Sequence, residues 1–452
     1  MVYTLVFPLS YFRDLLRRLR ERPGIGVLCP VGLNTLEDEV QYLVRGIYDA
    51  HMKTSHLHAH RYIWISTTEQ PLSEPSPSGE FKDLEPLGHL IVGIGEAKGM
   101  LWGVVTSPDY RPVSTLTEPV PLHRLLLVGP GMHELKLNHS KSGREEIPRL
   151  NRGTSPSLER WSRTIGALGP HTWQRLSSLR IAIIGCGRTG SLIATTLVRL
   201  GVRHLTLIDP DIVEEHNLGE MNGVREEDLG RHKVEAVAEF LTHYCTATHI
   251  PQEINAIPKP IMSAGLSVKS ADVLFCCVDD DSARLACGII ASLFHKVLID
   301  VGTGVFQEIT ALSEPPSYHK DVSMGADIRL ILPGECCLLC FGGLSHRDEA
   351  ISQLLRRNTP GQTADNYWWR RRAGSLRSLN MEAAGMAVQF LCDLVAERLQ
   401  SSTWIRVEYD PKANLSVRQT HFHHEQNHPL CPLCLRAGMG DDGIDWTNLK
   451  ER

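Results

Sequence analysis

The sequence predicts an α/β fold built on a doubly wound, mostly parallel sheet, preceded by a smaller α+β domain. Arg180–Gly185 (RIAIIG) is a continuous apolar run, as expected for a strand that is buried on both faces of a parallel sheet. A helical pattern at 189–200 and a second apolar run at 204–209 follow it. Further apolar runs at 273–278 and 296–301 continue the alternation of strand and helix that is typical of doubly wound sheets.

The composition is that of a globular protein, since 42% of the 452 residues are hydrophobic and 22% are charged. These fractions exclude a disordered, collagenous or coiled-coil protein. The 47 Lys and Arg residues against 52 Asp and Glu residues give a net charge of -5. This near balance argues against a dedicated nucleic-acid binder.

The sequence also predicts a cytoplasmic protein without a membrane partner. No apolar run reaches the ~18–20 residues of a membrane-spanning helix. The N-terminal segment has its basic residues after its apolar part, which is the reverse of a secretory signal. We therefore expect the 12 Cys residues to be thiols, metal ligands or catalytic groups rather than a disulfide framework.

Composition along the chain predicts four regions. Residues 1–135 form an accessory α+β domain, 136–158 a polar linker with Gly and Pro, 159–435 the α/β domain, and 436–452 a C-terminal tail. Within the first region the pattern predicts a helix at 10–20 and strands at 26–31, 62–66, 89–94, 101–105 and 125–129.

A glycine-rich loop lies between the first buried strand and the next helix. It contains Gly185, Gly187 and Gly190, and Asp209 ends the following strand. Glycines let the backbone approach a phosphate, the helix start offers N–H groups and a positive dipole end, and the acidic residue suits ribose hydroxyls. The loop predicts a nucleotide site but leaves the nucleotide open, because an NAD dehydrogenase would share this pattern.

Two CxxC pairs predict a structural zinc site formed by Cys337, Cys340, Cys431 and Cys434. Four thiolates complete a closed tetrahedral Zn²⁺ site. The ~90 residues between the pairs exceed a short zinc finger, so a pair of buried or redox CxxC motifs is the alternative. Cys336 competes with Cys337, but only Cys337 has the two-residue spacing to Cys340.

Further segments resemble the ThiF/MoeB/ubiquitin-activating-enzyme family from about Leu158 to Cys434. They are Arg160-Trp-Ser-Arg163, Asp209-Pro-Asp211 followed by Asn217-Leu, Lys233 after Asp-Leu-Gly-Arg-His, and Asp279 with Arg284 five residues on. The resemblance implies a Rossmann-like sheet and adenylation of the C-terminal glycine of a ubiquitin-like protein with Mg-ATP.

The resemblance also implies roles for these residues. Arg163 reaches ATP across a homodimer, Lys233 meets the phosphates, and Asp279 holds Mg-ATP. Asp209, Asp211 and Asn217 complete the nucleotide site, and the zinc joins the end of the sheet to the C-terminal strand. Such residue types suit adenylation, because cations neutralise the charge on the phosphate oxygens and the attacking carboxylate needs no strong base.

The chain departs from the family pattern at two positions. The family has an Arg shortly after Asn-Leu, where this chain has Glu220, and a third glycine in the loop, where it has Arg188. We expect Arg188, at the helix start, to replace part of the missing positive charge, with Arg225 as a weaker candidate. If neither serves, adenylation is slow, or the domain binds ATP without turnover.

Conjugating family members pass the adenylate to a Cys in the segment after the first CxxC pair. Residues 341–378 contain no Cys and hold the aromatic and basic stretch 366–372 instead. Cys276, Cys277 and Cys392 lie in apolar runs, where burial raises thiol pKa. The sequence therefore favours transfer of the acyl-adenylate to another protein's thiol or to a sulfur donor.

The first region loosely resembles the JAB/MPN metalloprotease domain that precedes ThiF domains in prokaryotic relatives. Its metal-ligand candidates, which fit the JAB spacing poorly, are His56, His58, His60, Ser78 and Asp83. We expect a non-peptidase domain that holds the ubiquitin-like substrate or a partner enzyme.

These features together predict the activating enzyme of a bacterial ubiquitin-like conjugation pathway, with ATP, Mg²⁺ and Zn²⁺ as cofactors. The expected partners are a ubiquitin-like protein ending in Gly, a conjugating enzyme or sulfur donor, and a second copy of the chain. The alternatives are a sulfur-carrier-activating adenylyltransferase and an ATP-binding pseudoenzyme scaffold, which Glu220 would favour. An NAD dehydrogenase leaves Arg163, Lys233 and the CxxC pairs unexplained.

Overall fold

The structure is a computed structural model. It describes residues 1–21, 26–49, 61–68, 88–93, 101–105, 120–137, 156–245, 253–307, 322–344, 376–422 and 431–443. The chain divides into two compact units. The first contains Met1–Gly153, Ser292–His295 and Cys434–Arg452, and the second contains Thr154–Ala291 and Lys296–Leu433.

In the part of the chain that the structure describes, the first unit contains a ten-stranded mixed sheet and one long helix. Its strands are β1 (Val2–Pro8), β2 (Val27–Thr35), β3 (Glu39–Val44), β4 (Tyr48–Asp49), β5 (Tyr62–Thr68), β6 (Gly88–Gly93), β7 (Leu101–Val105), β8 (Val120–Pro121), β9 (Arg124–Val128) and β10 (His133–Lys136). The order is β10-β9-β1-β3-β2-β5-β6-β7-β8, and β4 pairs with β2. Three pairs are parallel: β1 with β3, β1 with β9, and β5 with β6.

Helix α1 (Leu9–Glu21) directly follows β1 and buries one face. Phe12, Leu15 and Leu19, spaced three and four residues apart, are its buried positions. They belong to the hydrophobic core formed with the strands, and the ring of Phe12 meets that of Phe7 edge-on at 5.5 Å. The helix and the strands predicted in this region are therefore present.

The second unit is an eight-stranded sheet covered by helices. Its strands are β11 (Arg180–Ile184), β12 (His204–Ile208), β13 (Glu253–Ile257), β14 (Val273–Cys276), β15 (Val297–Gln307), β16 (Val322–Ile331), β17 (Thr403–Tyr409) and β18 (Leu415–His421). Its helices are α2 (Pro156–Glu159), α3 (Ser162–Leu168), α4 (Pro170–Ser178), α5 (Arg188–Leu200), α6 (Glu215–Leu218), α7 (Lys233–Cys245), α8 (Ile261–Ala264), α9 (Asp281–Leu293) and α10 (Arg377–Val395).

The strand order is β13-β12-β11-β14-β15-β16-β17-β18. The first five strands are parallel, and the last three continue the sheet with antiparallel pairing. The predicted α/β class with a doubly wound, mostly parallel sheet is confirmed. The antiparallel half was not predicted from the sequence, because β15 runs on to Gln307 past the apolar run at 296–301 and pairs with β16 along this length.

One row of paired residues crosses the whole sheet. Ile257, Ile208, Ile184 and Cys276 are partners on adjacent parallel strands. The row then continues through Asp300, Arg329, Trp404 and Thr420. Because the carboxyl ends of parallel strands meet at one edge, the loops after Ile184, Ile208 and Cys276 are neighbours there.

The structure leaves some predicted features untested. Most of the predicted linker 136–158, namely 138–155, lies outside the described residues, as do the candidates His56, His58, His60, Ser78 and Asp83 and the stretch 366–372. Among the helices that the structure describes, none combines the length and apolar character needed to cross a membrane.

Candidate functional site

The glycine loop joins β11 to α5 in a conformation that two of its glycines require. Gly185 has φ +87°, and a Cβ there would lie 2.7 Å from the Cys277 carbonyl oxygen. A Cβ on Gly190 would lie 1.9 Å from the Gly185 oxygen. A Cβ on Gly187, at the start of α5, would meet nothing within 4 Å. The loop is therefore packed tightly against the chain on one side and open at Gly187, as a phosphate site needs.

Asp209 connects the glycine loop to the turn after β12. One of its carboxylate oxygens accepts the Cys186 N–H at 2.7 Å, and the other accepts the Asp211 N–H at 2.9 Å. Burial raises the pKa of Asp209, and this outweighs the lowering by these hydrogen bonds and by Lys233. The predicted nucleotide residue thus also fixes the backbone of the site.

Lys233 is the first residue of α7 and reaches back to the Asp211 turn. Its ammonium donates to the Asp211 carboxylate at 2.8 Å, and its backbone N–H donates to the Asp211 oxygen at 3.0 Å. An isolated bridge between Ile212 and His232 holds the two segments together. The Lys233 side chain is 12% exposed and the Asp211 side chain 64%. The structure therefore brings together Asp209, Asp211 and Lys233.

Asn217 is buried and holds a turn of the backbone. Its side-chain oxygen accepts the Glu214 N–H at 2.9 Å, and its own N–H donates to the Glu214 backbone oxygen at 2.8 Å. These two hydrogen bonds start the short helix α6. The side-chain oxygen of Asn217, a predicted nucleotide-binding residue, thus accepts a hydrogen bond from its own chain.

Asp279 lies in the turn between β14 and α9, beside the glycine loop. The Cys277 N–H donates to the Ile184 oxygen at 2.8 Å, so this turn and Gly185 are neighbours. The next residue, Asp280, caps α9 by accepting the Ala283 N–H at 2.8 Å. The structure thus brings the predicted Mg-ATP carboxylate to the same edge of the sheet as the glycine loop.

Arg284, on the first turn of α9, is buried behind the Asp279 turn. One of its terminal nitrogens donates to the Val278 oxygen at 2.7 Å, and the other donates to the Asp300 carboxylate. Burial is the largest single effect and would lower the pKa of Arg284, but the charges of Asp300 and of the other nearby acidic groups together outweigh it, and the pKa is raised. Arg284 therefore supports the turn from inside the protein.

Arg188, the first residue of α5, lies next to the acidic residue at the family Arg position. Its Nε is 3.9 Å from Glu220 Oε2. Arg377, at the start of α10, donates to the Glu220 backbone oxygen at 2.5 Å and to the Asn222 side-chain oxygen at 2.6 Å. The Asn222 N–H donates to Ser191 Oγ at 3.0 Å. The loop bearing Glu220 is thus attached to both α5 and α10.

Sequence reasoning missed Arg377. It lies 157 residues after Glu220 in the chain. No spacing rule links two segments so far apart, and only the packing of α10 against α5 makes them neighbours.

Arg163 is not brought to the glycine loop of its own chain. It lies on α3, a helix with no buried residue, and among the described residues it has no hydrogen bond or ion pair. The preceding Trp161 donates to the Arg199 oxygen at 2.9 Å, and Trp173 donates to the Leu200 oxygen at 2.9 Å. These anchors hold α3 at the C-terminal end of α5, and a 13-residue helix is ~20 Å long.

The four predicted zinc ligands converge. Cys337 Sγ lies 3.5 Å from Cys431 Sγ and 3.7 Å from Cys340 Sγ, and the four sulfur atoms including that of Cys434 lie within 4.8 Å of one another. Four thiolates at ~2.3 Å from Zn²⁺ in a tetrahedron would be ~3.8 Å apart. The residues therefore fit a closed Zn²⁺ site. Cys336 is outside the cluster, and burial raises its thiol pKa to about 12.

The other described cysteines are buried, except for Cys277, which is half-buried. Burial raises the pKa of the Cys186 and Cys277 thiols and raises that of Cys392 to about 11. The pKa of the Cys276 thiol is also raised, first by its hydrogen bond with Cys287 and then by burial. A thiol with a raised pKa is a poor nucleophile at neutral pH. The described thiols outside the cluster therefore lack the character of a thioester acceptor.

Comparison with known proteins identifies the family. Residues 161–431 match the ThiF family, and this match covers more than half of the chain. The chain belongs to the ThiF family. The matched residues include the glycine loop, Lys233, Asp279 and three of the four clustered cysteines, so the family assignment and the site geometry concern the same part of the molecule.

Curated proteins similar to this ThiF-family chain include the adenylyltransferase and sulfurtransferase uba4 of Aspergillus clavatus, 29% identical over 168 residues, or 37% of this chain and 34% of that protein. Ubiquitin-like modifier-activating enzyme 5 of Drosophila grimshawi is 28% identical over 241 residues, or 48% and 56%. The SAMP-activating enzyme E1 of Haloferax volcanii is 35% identical over 86 residues, or 19% and 32%. The chain thus spans about a third to a half of the length of these relatives.

Among solved structures, the chain is similar to E. coli MccB with ATP. The two share 17% sequence identity at a TM-score of 0.43, over 61% of this chain and 74% of MccB.

Proposed function

We propose that this chain adenylates the C-terminal glycine of a ubiquitin-like protein, as the activating enzyme of a bacterial ubiquitin-like conjugation pathway. The observation that carries the proposal is the convergence of three features at one edge of the parallel sheet. These are the open glycine loop at the start of α5, the Lys233 ammonium, and the Asp279 turn. The names of the relatives, which include activating enzymes and an adenylyltransferase, support it.

The chain's own groups suit the binding of Mg-ATP. The N–H groups at the start of α5 and the space at Gly187 would receive phosphate oxygens. Lys233, 2.8 Å from Asp211, would exchange this carboxylate for the phosphates. Asp279 is exposed and lies at this edge of the sheet. One or two carboxylates together with water are the usual ligands of Mg²⁺ in such sites. When bound, Mg²⁺ neutralises charge on the phosphate oxygens.

In the proposed reaction, the substrate's terminal carboxylate attacks the α-phosphorus, the bond to the β-phosphate oxygen breaks, and pyrophosphate leaves. The carboxylate is already ionised, so the site needs no general base. Lys233 and Arg188 would stabilise the negative charge that builds on the phosphate oxygens. The protein's remaining task is to hold carboxylate and phosphorus in line.

The acyl-adenylate would then pass to another protein. The described thiols outside the zinc cluster have raised pKa values or are buried, and residues 341–378 contain no Cys. A conjugating enzyme's thiol or a sulfur donor would take the acyl group. In this proposal the predicted accessory domain, residues 1–135, holds the ubiquitin-like protein or that partner enzyme.

The proposal includes a homodimer in which Arg163 serves the neighbouring site. The anchoring of Trp161 at the C-terminal end of α5 keeps Arg163 far from its own glycine loop. This supports a position of Arg163 in the partner's nucleotide site across a two-fold interface. The Cys337–Cys434 cluster would hold a structural Zn²⁺. The expected location of the enzyme is the cytoplasm.

Two alternatives rest on specific observations. Relatives named as adenylyltransferase and sulfurtransferase favour activation of a sulfur carrier. The Glu220 carboxylate, 3.9 Å from Arg188, favours an ATP-binding pseudoenzyme scaffold, because it opposes phosphate binding at the start of α5.

Exchange of radiolabelled pyrophosphate into ATP tests the proposal. A small protein ending in Gly, chosen from the genes beside this one, should make exchange depend on its presence, and the same protein without its final Gly should not. ATP binding with no exchange would instead support the scaffold. A neighbouring gene for a conjugating enzyme or for a sulfurtransferase would decide between the two transfer routes.

A further inference from the structure

The row of paired residues that crosses the second sheet changes character between β14 and β15. Ile257, Ile208 and Ile184 are apolar, whereas Asp300 and Arg329 are charged and stand at adjacent positions on β15 and β16. Both are buried, and Asp300 has no exposed surface. A buried ion pair is weak as a source of stability, because desolvation of the charges offsets their attraction. Its presence in this row therefore calls for another role.

The Asp300 carboxylate lies between two guanidinium groups. One of its oxygens accepts from Arg284, and the other accepts from Arg329 Nη1 at 3.0 Å. Arg284 in turn donates its other terminal nitrogen to the Val278 oxygen at 2.7 Å. Val278 directly precedes Asp279, so a chain of directional contacts leads from Asp300 to the turn at the site.

The other end of this chain is held by the antiparallel strands. Arg329 stacks on the Trp404 ring at 4.5 Å and pairs with the Asp327 carboxylate at 3.2 Å. Asp327 also accepts the Trp404 indole N–H at 2.7 Å and receives Arg406 in a bidentate pair at 2.8 and 2.9 Å. These contacts fix the Arg329 guanidinium in one place and orientation.

We propose that Asp300 and Arg329 are positioning residues that act through Arg284 to set the position of the Asp279 carboxylate. The inference rests on the proposed function, since it assigns the three linked side chains of Arg284, Asp300 and Arg329 to the Mg-ATP site. Hydrophobic contacts are non-directional, whereas a forked guanidinium between a carboxylate and a carbonyl fixes both distance and angle. Displacement of a metal-binding carboxylate by ~1 Å is enough to impair a site of this kind.

The test is calorimetric titration of ATP into the full-length protein with and without MgCl₂. The variant Asp300→Asn keeps the shape of the side chain and removes its charge. A second variant, Arg284→Met with Asp300→Leu and Arg329→Met, removes all three charges at similar volume, a type of change that keeps buried sites folded. In both variants the increase in ATP affinity that Mg²⁺ produces should be at least tenfold smaller than in the wild-type protein. Their ATP affinity without Mg²⁺ should stay within twofold of the wild-type value.

The matched control is Asp393→Asn, the same type of change at a carboxylate of α10 that pairs with Arg398 outside this network. It should leave the effect of Mg²⁺ on ATP affinity unchanged. Wild-type Mg²⁺ dependence in the folded triple variant would overturn this inference and leave the proposed function standing. Absence of Mg²⁺-dependent ATP binding in the wild-type protein would overturn both the inference and the proposed function.

Discussion

The Nε atom of Arg188 lies 3.9 Å from Oε2 of Glu220, at the start of the helix that follows the glycine loop. The backbone of Glu220 is fixed by Arg377, so the carboxylate cannot move away with its loop. A cation at this helix start would favour phosphate, and a neighbouring anion opposes it. We therefore expect Arg188 to replace the family Arg only in part while Glu220 keeps its charge.

This pair leads to the first prediction. Glu220→Gln removes the anion and keeps the side-chain shape, so the affinity for ATP should rise about fivefold, which corresponds to ~1 kcal/mol. Calorimetric titration of ATP measures it. The control is Glu239→Gln on α7, which should leave ATP affinity unchanged. Glu239 has an exposed carboxylate that pairs with Arg231. Equal or weaker ATP binding by Glu220→Gln would contradict the opposing role of Glu220.

The second prediction compares two adjacent carboxylates. Asp279→Ala should lower Mg²⁺-dependent AMP formation by ~10²-fold or more, because the metal loses its carboxylate. Asp280→Ala removes the helix cap of α9 and should cost ~1 kcal/mol of stability with Mg²⁺-dependent activity retained. Enzyme assays and thermal unfolding measure the two effects. An Asp279→Ala enzyme with the wild-type exchange rate would remove Asp279 from the site.

The third prediction concerns the cysteine cluster. Elemental analysis should find about one Zn²⁺ per chain. Cys434→Ser should lose the metal and much of the stability, because metal binding energy contributes directly to folding. The neighbouring Cys336→Ser should keep the metal, since Cys336 lies outside the cluster. Fully folded protein without zinc would contradict the assignment.

The fourth prediction is that the enzyme forms no thioester with its substrate. The thiols of Cys186 and Cys277 have pKa values raised by burial, so neither is ionised near neutral pH. After reaction with Mg-ATP and a ubiquitin-like protein, a non-reducing gel should show no thiol-sensitive adduct. Addition of a separate conjugating enzyme should produce the adduct on that enzyme. An adduct on the activating chain itself would show that one of its thiols is the acceptor.

The parallel half of the second sheet and the glycine loop could be predicted, because their signals are local. Arg180–Gly185 is an apolar run next to a glycine pattern, and both are visible within a few residues. The cluster of four cysteines was also predictable, since the spacing within each CxxC pair is a property of the sequence. Its convergence in space, however, depends on the fold that brings Cys431 to Cys337.

The remaining features depend on strand register and helix packing, which the sequence does not display. Asp300 and Arg329 look like isolated charges in apolar segments until the pairing of β15 with β16 places them side by side. Arg377 contacts Glu220 only because α10 packs against α5. Asn217 shows the opposite case. Its motif was recognised, but its side-chain oxygen caps a turn.

The last prediction is that Arg163 acts across the interface of a symmetric homodimer. Trp161 and Trp173 anchor the α3–α4 segment at the C-terminal end of α5. The glycine loop lies at the other end of α5, ~20 Å away. An Arg side chain cannot span that distance from α3, but a two-fold partner could present its own α3 to the loop. A guanidinium brought in this way can contact the phosphates with several donors.

Subunit mixing tests this arrangement. Arg163→Ala and Asp279→Ala proteins should each be inactive, and after exchange of subunits the mixture should recover about a quarter of the wild-type rate. Half of the dimers are then mixed, and each mixed dimer has one site with an intact Asp279 and a partner's intact Arg163. The control mixture is Lys233→Ala with Asp279→Ala. Both of these residues serve their own chain's site, so mixing should restore nothing. Full activity in a strict monomer, measured by light scattering at the assay concentration, would exclude the shared site.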